Sequence, residues 1–162
     1  MRHSGTDPYN LNGVTFMETV VDIVRVLHSL SRYIAIVAVA AALVYFIVGL
    51  VQRRGWDALA TRLGAAFRHS LSLQWVLGLL LLVVYGLWAG AVPGYQWGHA
   101  ITGTVALAVA HGAWAALLKR APDDRQKYVR ALGVVVLTLV LVIGGIYALP
   151  EYLRWNFPAS SI

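Results

Sequence analysis

The sequence predicts an all-α integral membrane protein, a four-helix transmembrane bundle preceded by an amphipathic helix. Three observations carry this. Apolar residues make up 59 % of the 162 residues and charged residues only 12 %, about half the charged share of a soluble domain. The apolar residues gather in runs of about 20, long enough to cross a bilayer as helices. The charges lie in short clusters beside those runs, which is the pattern of membrane topology. The net charge of +6 therefore reads as topology, and no nucleic acid partner is expected. Cysteine is absent, which excludes disulfides, thiolate metal sites and the covalent attachment of c-type haem.

The elements follow in order. Residues 1–14 read as an irregular tail, with His3 a surface histidine. They are polar and include Pro8 and Gly13, so no signal peptide is expected and the first span directs insertion. Thr15 and Glu18 fit a capping box that starts a helix. Val20, Val21, Val24, Leu27 and Ser31 then form one helical stripe, opposite Glu18, Asp22, Arg25 and Arg32. This amphipathic lead-in is expected on the membrane surface or projecting from it. Its polar face mixes acids with bases, whereas lipid-surface helices favour Lys and Arg. It is therefore expected, together with the aromatic tail after Pro150, to dock onto a partner subunit. The first span covers residues 33–51, and nothing in the sequence forces a break before it.

Gln52-Arg53-Arg54 ends that span, and residues 55–68 read as a short interfacial helix. The second span, 71–92, stops at Pro93-Gly94. The short loop makes spans two and three a tight antiparallel hairpin, with Tyr95 and Trp97 at the height of an aromatic belt. The third span covers 99–118. Asp123 and Gln126 mark the capped start of the next helix, whose span, 131–149, stops at Pro150. Tyr152, Trp155 and Phe157 follow, again interfacial in character.

Orientation follows from the basic residues. The two loops on one side hold Arg53, Arg54, Arg62, Arg68, Lys119, Arg120, Arg125, Lys127 and Arg130. The other side holds only Arg2, Arg25, Arg32 and Arg154. The positive-inside rule places the loops in the cytoplasm and both termini on the outer side of the cell (inner) membrane.

The third span carries His99 and His111 and no charged residue. An ionisable side chain inside a span is costly and is by default a functional hypothesis. A b-type haem in a bundle takes two axial ligands from facing helices at similar depth. His28 and His99 match in depth and form the outer pair. Arg32, one turn after His28, is placed for a haem propionate. His69 and His111 would form an inner pair, which requires a staggered or tilted second span. His111 follows His99 by about 18 Å along the axis and about 120° around it. The plain alternatives are headgroup contacts for His28 and His69, a loop hydrogen bond for His99, and a hydroxyl or carbonyl partner for His111. Gly86 and Gly90 form a GxxxG pattern, and Gly98, Gly103 and Gly112 line the third span. Such residues allow close helix packing, or the approach of a flat macrocycle. Trp75, Trp88 and Trp114 are candidates to stack on a porphyrin or quinone, against the commoner lipid-facing role.

Three stretches resemble a known family. Leu27-His28-Ser29-Leu30-Ser31-Arg32-Tyr33 resembles the His-Ser-x-x-Arg-aromatic opening of small bacterial four-span proteins labelled cytochrome b. His69 followed by Leu73-Gln74-Trp75-Val76-Leu77-Gly78 resembles their second span, and Gly98-His99 the head of their third, with Gly98 where that family has an acidic residue. The pattern over about residues 26–150 is also similar to one half of haem A synthase. The resemblance implies haem b as cofactor and assigns no substrate; the histidine positions give one haem at the outer pair, with the inner pair as the candidate second site.

The expected function is that of a membrane-bound b-type haem electron-transfer protein or subunit exchanging electrons with quinone. The alternative is a cofactor-free accessory subunit that scaffolds a larger respiratory or photosynthetic complex. No motif supports hydrolysis, phosphoryl transfer or transport, and the absence of acids from the spans argues against a cation relay.

Overall fold

The computed structural model describes residues 8–154, with side chains from Phe16 onward. His3, Trp155 and Phe157 lie outside the described residues. Among those described, every regular element is helical: α1 (Pro8–Val51), α2 (Ala58–Ala89), α3 (Gly94–Lys119), α4 (Asp124–Tyr147) and the single turn α5 (Glu151–Arg154). Four helices are long and apolar enough to cross a membrane: Phe16–Val51 within α1, then α2, α3 and α4. Neighbours in sequence pack as neighbours in space, and α4 closes the ring by packing on α1 as well as α3. The helices α1 and α3 therefore face each other across a diagonal. One end of the bundle carries the loops rich in arginine, residues 52–57 and 120–123. The other carries the 90–93 hairpin and the start of α1.

The lead-in and the first span are one helix. Val21, Val24, Ser31, Ala35, Ala42 and Phe46 are all buried, at spacings of three, four and seven that form one continuous seam. The buried residues of α2 are Ala60, Gly64, Phe67, Ser70 and Leu82, and α2 is the helix that α1 packs against most extensively. Of the expected amphipathic stripe, Val21, Val24 and Ser31 are buried, Val20 is half-buried and Leu27 is exposed. Val21 and Val24, exposed by only 2 % and 6 %, are committed inside the chain and unavailable to lipid or a partner. Glu18, Asp22 and Arg25 stay outside, with Asp22 and Arg25 paired at 2.6 Å. The helix also begins earlier than expected, at Pro8, a residue suited to a first helical position because it lacks the N–H that would go unpaired there.

The interfacial helix expected over 55–68 is likewise part of a longer one. Asp57 caps α2 by accepting from the Ala60 N–H at 2.7 Å, and the helix then runs unbroken for 32 residues. The α4 cap is the expected one: Asp123 accepts from the Gln126 N–H at 2.7 Å. At the other end, Gly90 closes α2 in the left-handed region, φ 71°. A Cβ on Gly86 would lie 2.8 Å from Val92 Cγ2. The GxxxG pattern therefore serves the turn and not a helix pair. Gly98 and Gly112 have nothing within 4 Å of where a Cβ would stand.

The arginine-rich end is held by aromatic packing. Phe46, Trp56, Phe67, Trp114 and Tyr128 form one cluster, with ring centroids from 4.9 Å (Trp56–Tyr128) to 6.4 Å (Trp56–Trp114). Two glycines make room for it. A Cβ on Gly64 would meet Trp114 Cζ2 at 2.2 Å, and one on Gly49 would meet the Tyr128 ring at 2.5 Å. Trp114 is buried here, so it faces neither lipid nor a cofactor. The Tyr128 hydroxyl donates to the Gly55 carbonyl at 3.1 Å, which ties the first loop to α4.

Candidate functional site

His28 and His99 reach toward the bundle interior from α1 and α3, across the diagonal and near the hairpin end. His28 meets α2 through Gln74, and His99 meets α4 through the Gly145 carbonyl. Neither imidazole meets a carboxylate among the hydrogen bonds of the described side chains. Ser31 and Gln74 complete the wall. The Gln74 amide nitrogen lies 3.0 Å from His28 Nε2 and 3.3 Å from Nδ1. The Ser31 hydroxyl bridges the His28 carbonyl, at 2.9 Å, and the Gln74 amide oxygen.

The Gln74 amide nitrogen is a donor and faces the edge of the His28 ring that carries both nitrogens. His99 Nδ1 lies 3.0 Å from the Gly145 carbonyl. A carbonyl can only accept, so Nδ1 carries the proton and Nε2 keeps its lone pair. This is how a backbone carbonyl orients a metal-ligating histidine. Glycines flank both rings. A Cβ on Gly78 would lie 3.0 Å from His28 Cε1, and one on Gly145 would lie 3.6 Å from His99 Nδ1. Two turns before Gly145 on α4, the buried hydroxyl of Thr138 has no partner among the described residues.

These residues can be tested against a bis-histidine haem. His99 fits directly: its outer nitrogen is a free acceptor and its inner one is held. His28 fits after one change, the rotation of the Gln74 amide away from Nε2. The glycines beside both rings let the imidazoles pack close to α2 and α4. No three His, Asp or Glu residues converge among the described residues, so the donor set suits an axial pair and not an ion cage.

Arg32 sits otherwise than the spacing suggested. Because α1 runs from the hairpin end toward the arginine-rich end, Arg32 is one turn farther from the hairpin than His28. Its Nη1 donates to the Arg154 carbonyl at 3.2 Å, and its guanidinium lies 5.4 Å from the Tyr33 ring centroid. Arg154 in turn donates to the carbonyls of Leu149 and Tyr147 at 2.8 and 3.0 Å. The two arginines together bind the C-terminal turn to α1.

His69 and His111 are not brought together by any contact of the described residues. His69 is exposed on α2. His111 is half-buried, in a π-helical turn over Val109–Ala113 that interrupts α3. Its Nε2 lies 3.0 Å from Ser72 Oγ and 3.4 Å from the Arg68 carbonyl. Beside it, the Trp75 indole N–H donates to Thr104 Oγ1 at 2.9 Å. Sequence reasoning on histidines alone missed Gln74, Ser72 and Thr104 as site residues. Gln74 stands near the start of the expected span 71–92, and only the longer helix Ala58–Ala89 places it at mid-span. Compared with known proteins, the chain matches no family model, no curated protein and no solved structure.

Proposed function

We propose that this chain is a b-type haem electron-transfer protein of the cell membrane, with His28 and His99 as the axial ligands. The observation that carries the reading is the His99 Nδ1–Gly145 carbonyl bond, which leaves Nε2 unprotonated and aimed by its backbone anchor. Bound there, haem supplies one-electron transfer at a potential tuned by its ligands and surroundings. The chain does the rest. Gly145 holds the proton of His99 on Nδ1, Gln74 yields its place at His28 Nε2, and the apolar spans exclude water. Quinone in the bilayer is the proposed exchange partner. The arginine-rich loops face the cytoplasm, and a larger membrane complex is the proposed setting.

The test is an absorption spectrum of the purified full-length protein with and without dithionite. A reduced α-band of haem b is expected. His28→Ala and His99→Ala should each lose most of the bound haem, and His3→Ala should keep it. A protein that binds no haem when haem is supplied, or unchanged content in both variants, removes this reading and leaves that of a cofactor-free accessory subunit.

A further inference from the structure

A second site lies at the arginine-rich end, where the end of α1 meets the start of α4. A pocket of about 240 Å³ opens there. Gly49 and Tyr128 form its buried floor, and Arg53, Arg54, Arg125 and Asp124 form its rim. The rim is positive. Asp124 is the one carboxylate of the lining, and it is already paired with Lys127 at 2.8 Å. Arg54 also reaches the Tyr45 hydroxyl, which donates to Asp57. Arg53 and Arg125 make no side-chain hydrogen bond or ion pair among the described residues. The Tyr128 hydroxyl is engaged by the Gly55 carbonyl, so the donors on offer are guanidinium N–H groups. Their planar, permanently charged fork matches the oxygens of a phosphate.

The backbone gives a second, independent sign. Helix α1 ends in a Schellman turn: the Arg54 N–H donates to the Gly49 carbonyl at 2.9 Å, and the Arg53 N–H to the Leu50 carbonyl at 3.3 Å. The turn puts Arg53 in the left-handed region, φ 52°, the one non-glycine residue so placed among the described residues. Glycine is the usual occupant of that position, because a Cβ is strained there. The chain instead holds an arginine at the pocket against that strain, and strain of this kind gathers where a side chain has a function.

We propose that this pocket binds the phosphate of an anionic phospholipid, with Arg53 and Arg125 as its main partners and Arg54 beside them. Lipid is favoured over free phosphate by position. The pocket lies where two spanning helices end, at head-group height, and Gly49 and Tyr128 belong to those spans. The acyl chains of a lipid held there run on alongside α1 and α4. Basic pockets between spanning helices are seats for anionic head groups. A zwitterionic lipid brings the same phosphate together with a cation of its own, which the arginines repel. The site is separate from both histidine pairs, and binding there is independent of haem.

The experiment is native mass spectrometry of the full-length protein in detergent, incubated with equal amounts of phosphatidylglycerol and phosphatidylcholine bearing the same acyl chains. Phosphatidylglycerol should be retained in preference. Arg53→Gly and Arg125→Gln should each lower its retention about fivefold. Arg62→Gln removes an arginine of α2 outside the pocket. It should leave retention unchanged, which separates the pocket from the general positive field of the loops. In lipid-free detergent, Arg53→Gly should leave the thermal unfolding midpoint unchanged or raise it, so a loss of lipid in that variant is not a damaged fold. Inorganic phosphate in large excess should not displace the lipid. The proposal is overturned by equal retention of the two lipids, by displacement with inorganic phosphate, by parent-like retention in either pocket variant, by an equal loss in Arg62→Gln, or by a lowered midpoint in Arg53→Gly.

Discussion

Two glycines of the same chemical type make opposite predictions. At Gly64 a methyl group would lie 2.2 Å from Trp114 Cζ2, inside a cluster of five rings that has no room to yield. Overpacking of this kind costs about 1–3 kcal/mol, so Gly64→Ala should lower the thermal unfolding midpoint in detergent. At Gly112 a methyl group would meet nothing within 4 Å, and Gly112→Ala should leave the midpoint unchanged or raise it slightly, since alanine is the better helix former. Gln74 is the residue-scale test of the polar wall. Gln74→Leu would strip the ring of His28 of its partner, while Ser31 keeps the His28 carbonyl. Leaving buried polar groups unpaired costs about 1–3 kcal/mol, and the same scan should show it. If haem is bound, His28 gains iron as its partner, and the loss should be smaller in the haem-loaded protein.

At the scale of elements, the start of α2 is set by one carboxylate. The Tyr45 hydroxyl and the Ala60 N–H both donate to Asp57, and together they hold its carboxyl below the usual carboxylate range, with the tyrosine the larger influence. A carboxylate whose folded value is depressed stabilises at neutral pH and loses that contribution as pH falls through the depressed value. Asp57→Ala should therefore unfold at a lower temperature than the parent at pH 7, and the gap should close as the solution is acidified. A gap that persists in acid would assign the effect to something other than the charge.

The elements also show what the sequence could and could not reveal. Hydropathy marked the four spans because lipid demands long apolar runs, and Asp123 with Gln126 marked the α4 cap because the spacing is local. The lengths of α1 and α2 were less legible. Val21 and Val24 on one side of Glu18 and Asp22 look alike whether the apolar face meets lipid or α2. Only the phase of the stripe, continuous with Ala35, Ala42 and Phe46, separates the two. The π-helical turn at His111 was not legible at all, because no residue type is required to form it. Of the candidate site, the histidines were legible as costly residues in spans. Their hydrogen-bond partners were not, because Gly145 and Arg68 contribute backbone carbonyls that leave no mark in a side-chain pattern.

The whole molecule is an up-and-down bundle whose two ends differ in chemistry. One end carries the arginine loops and the ring cluster; the other carries the hairpin, with His28 and His99 near it. The positive-inside rule turns this polarity into an orientation. A single cysteine placed at Asp124 in the otherwise cysteine-free chain should react only with a membrane-permeable reagent in intact cells. Ready labelling by an impermeant reagent would reverse the bundle in the membrane, and with it the side on which His28 and His99 lie.

The ring cluster has a use in the laboratory beyond its packing. Trp56 and Trp114 stand with ring centroids 6.4 Å apart and planes inclined by 58°, close enough for their ultraviolet transitions to couple as a pair. They sit on the first loop and on α3, and share Phe46 of α1 and Tyr128 of α4 as neighbours. The part of the near-ultraviolet circular dichroism that Trp56→Leu removes therefore reports whether three membrane helices and a loop have come together at that end. Helix content alone cannot report this, because each span is helical in lipid before it finds its neighbours. Insertion and assembly become two separately visible events, the first in the far ultraviolet and the second in the signal of two indoles.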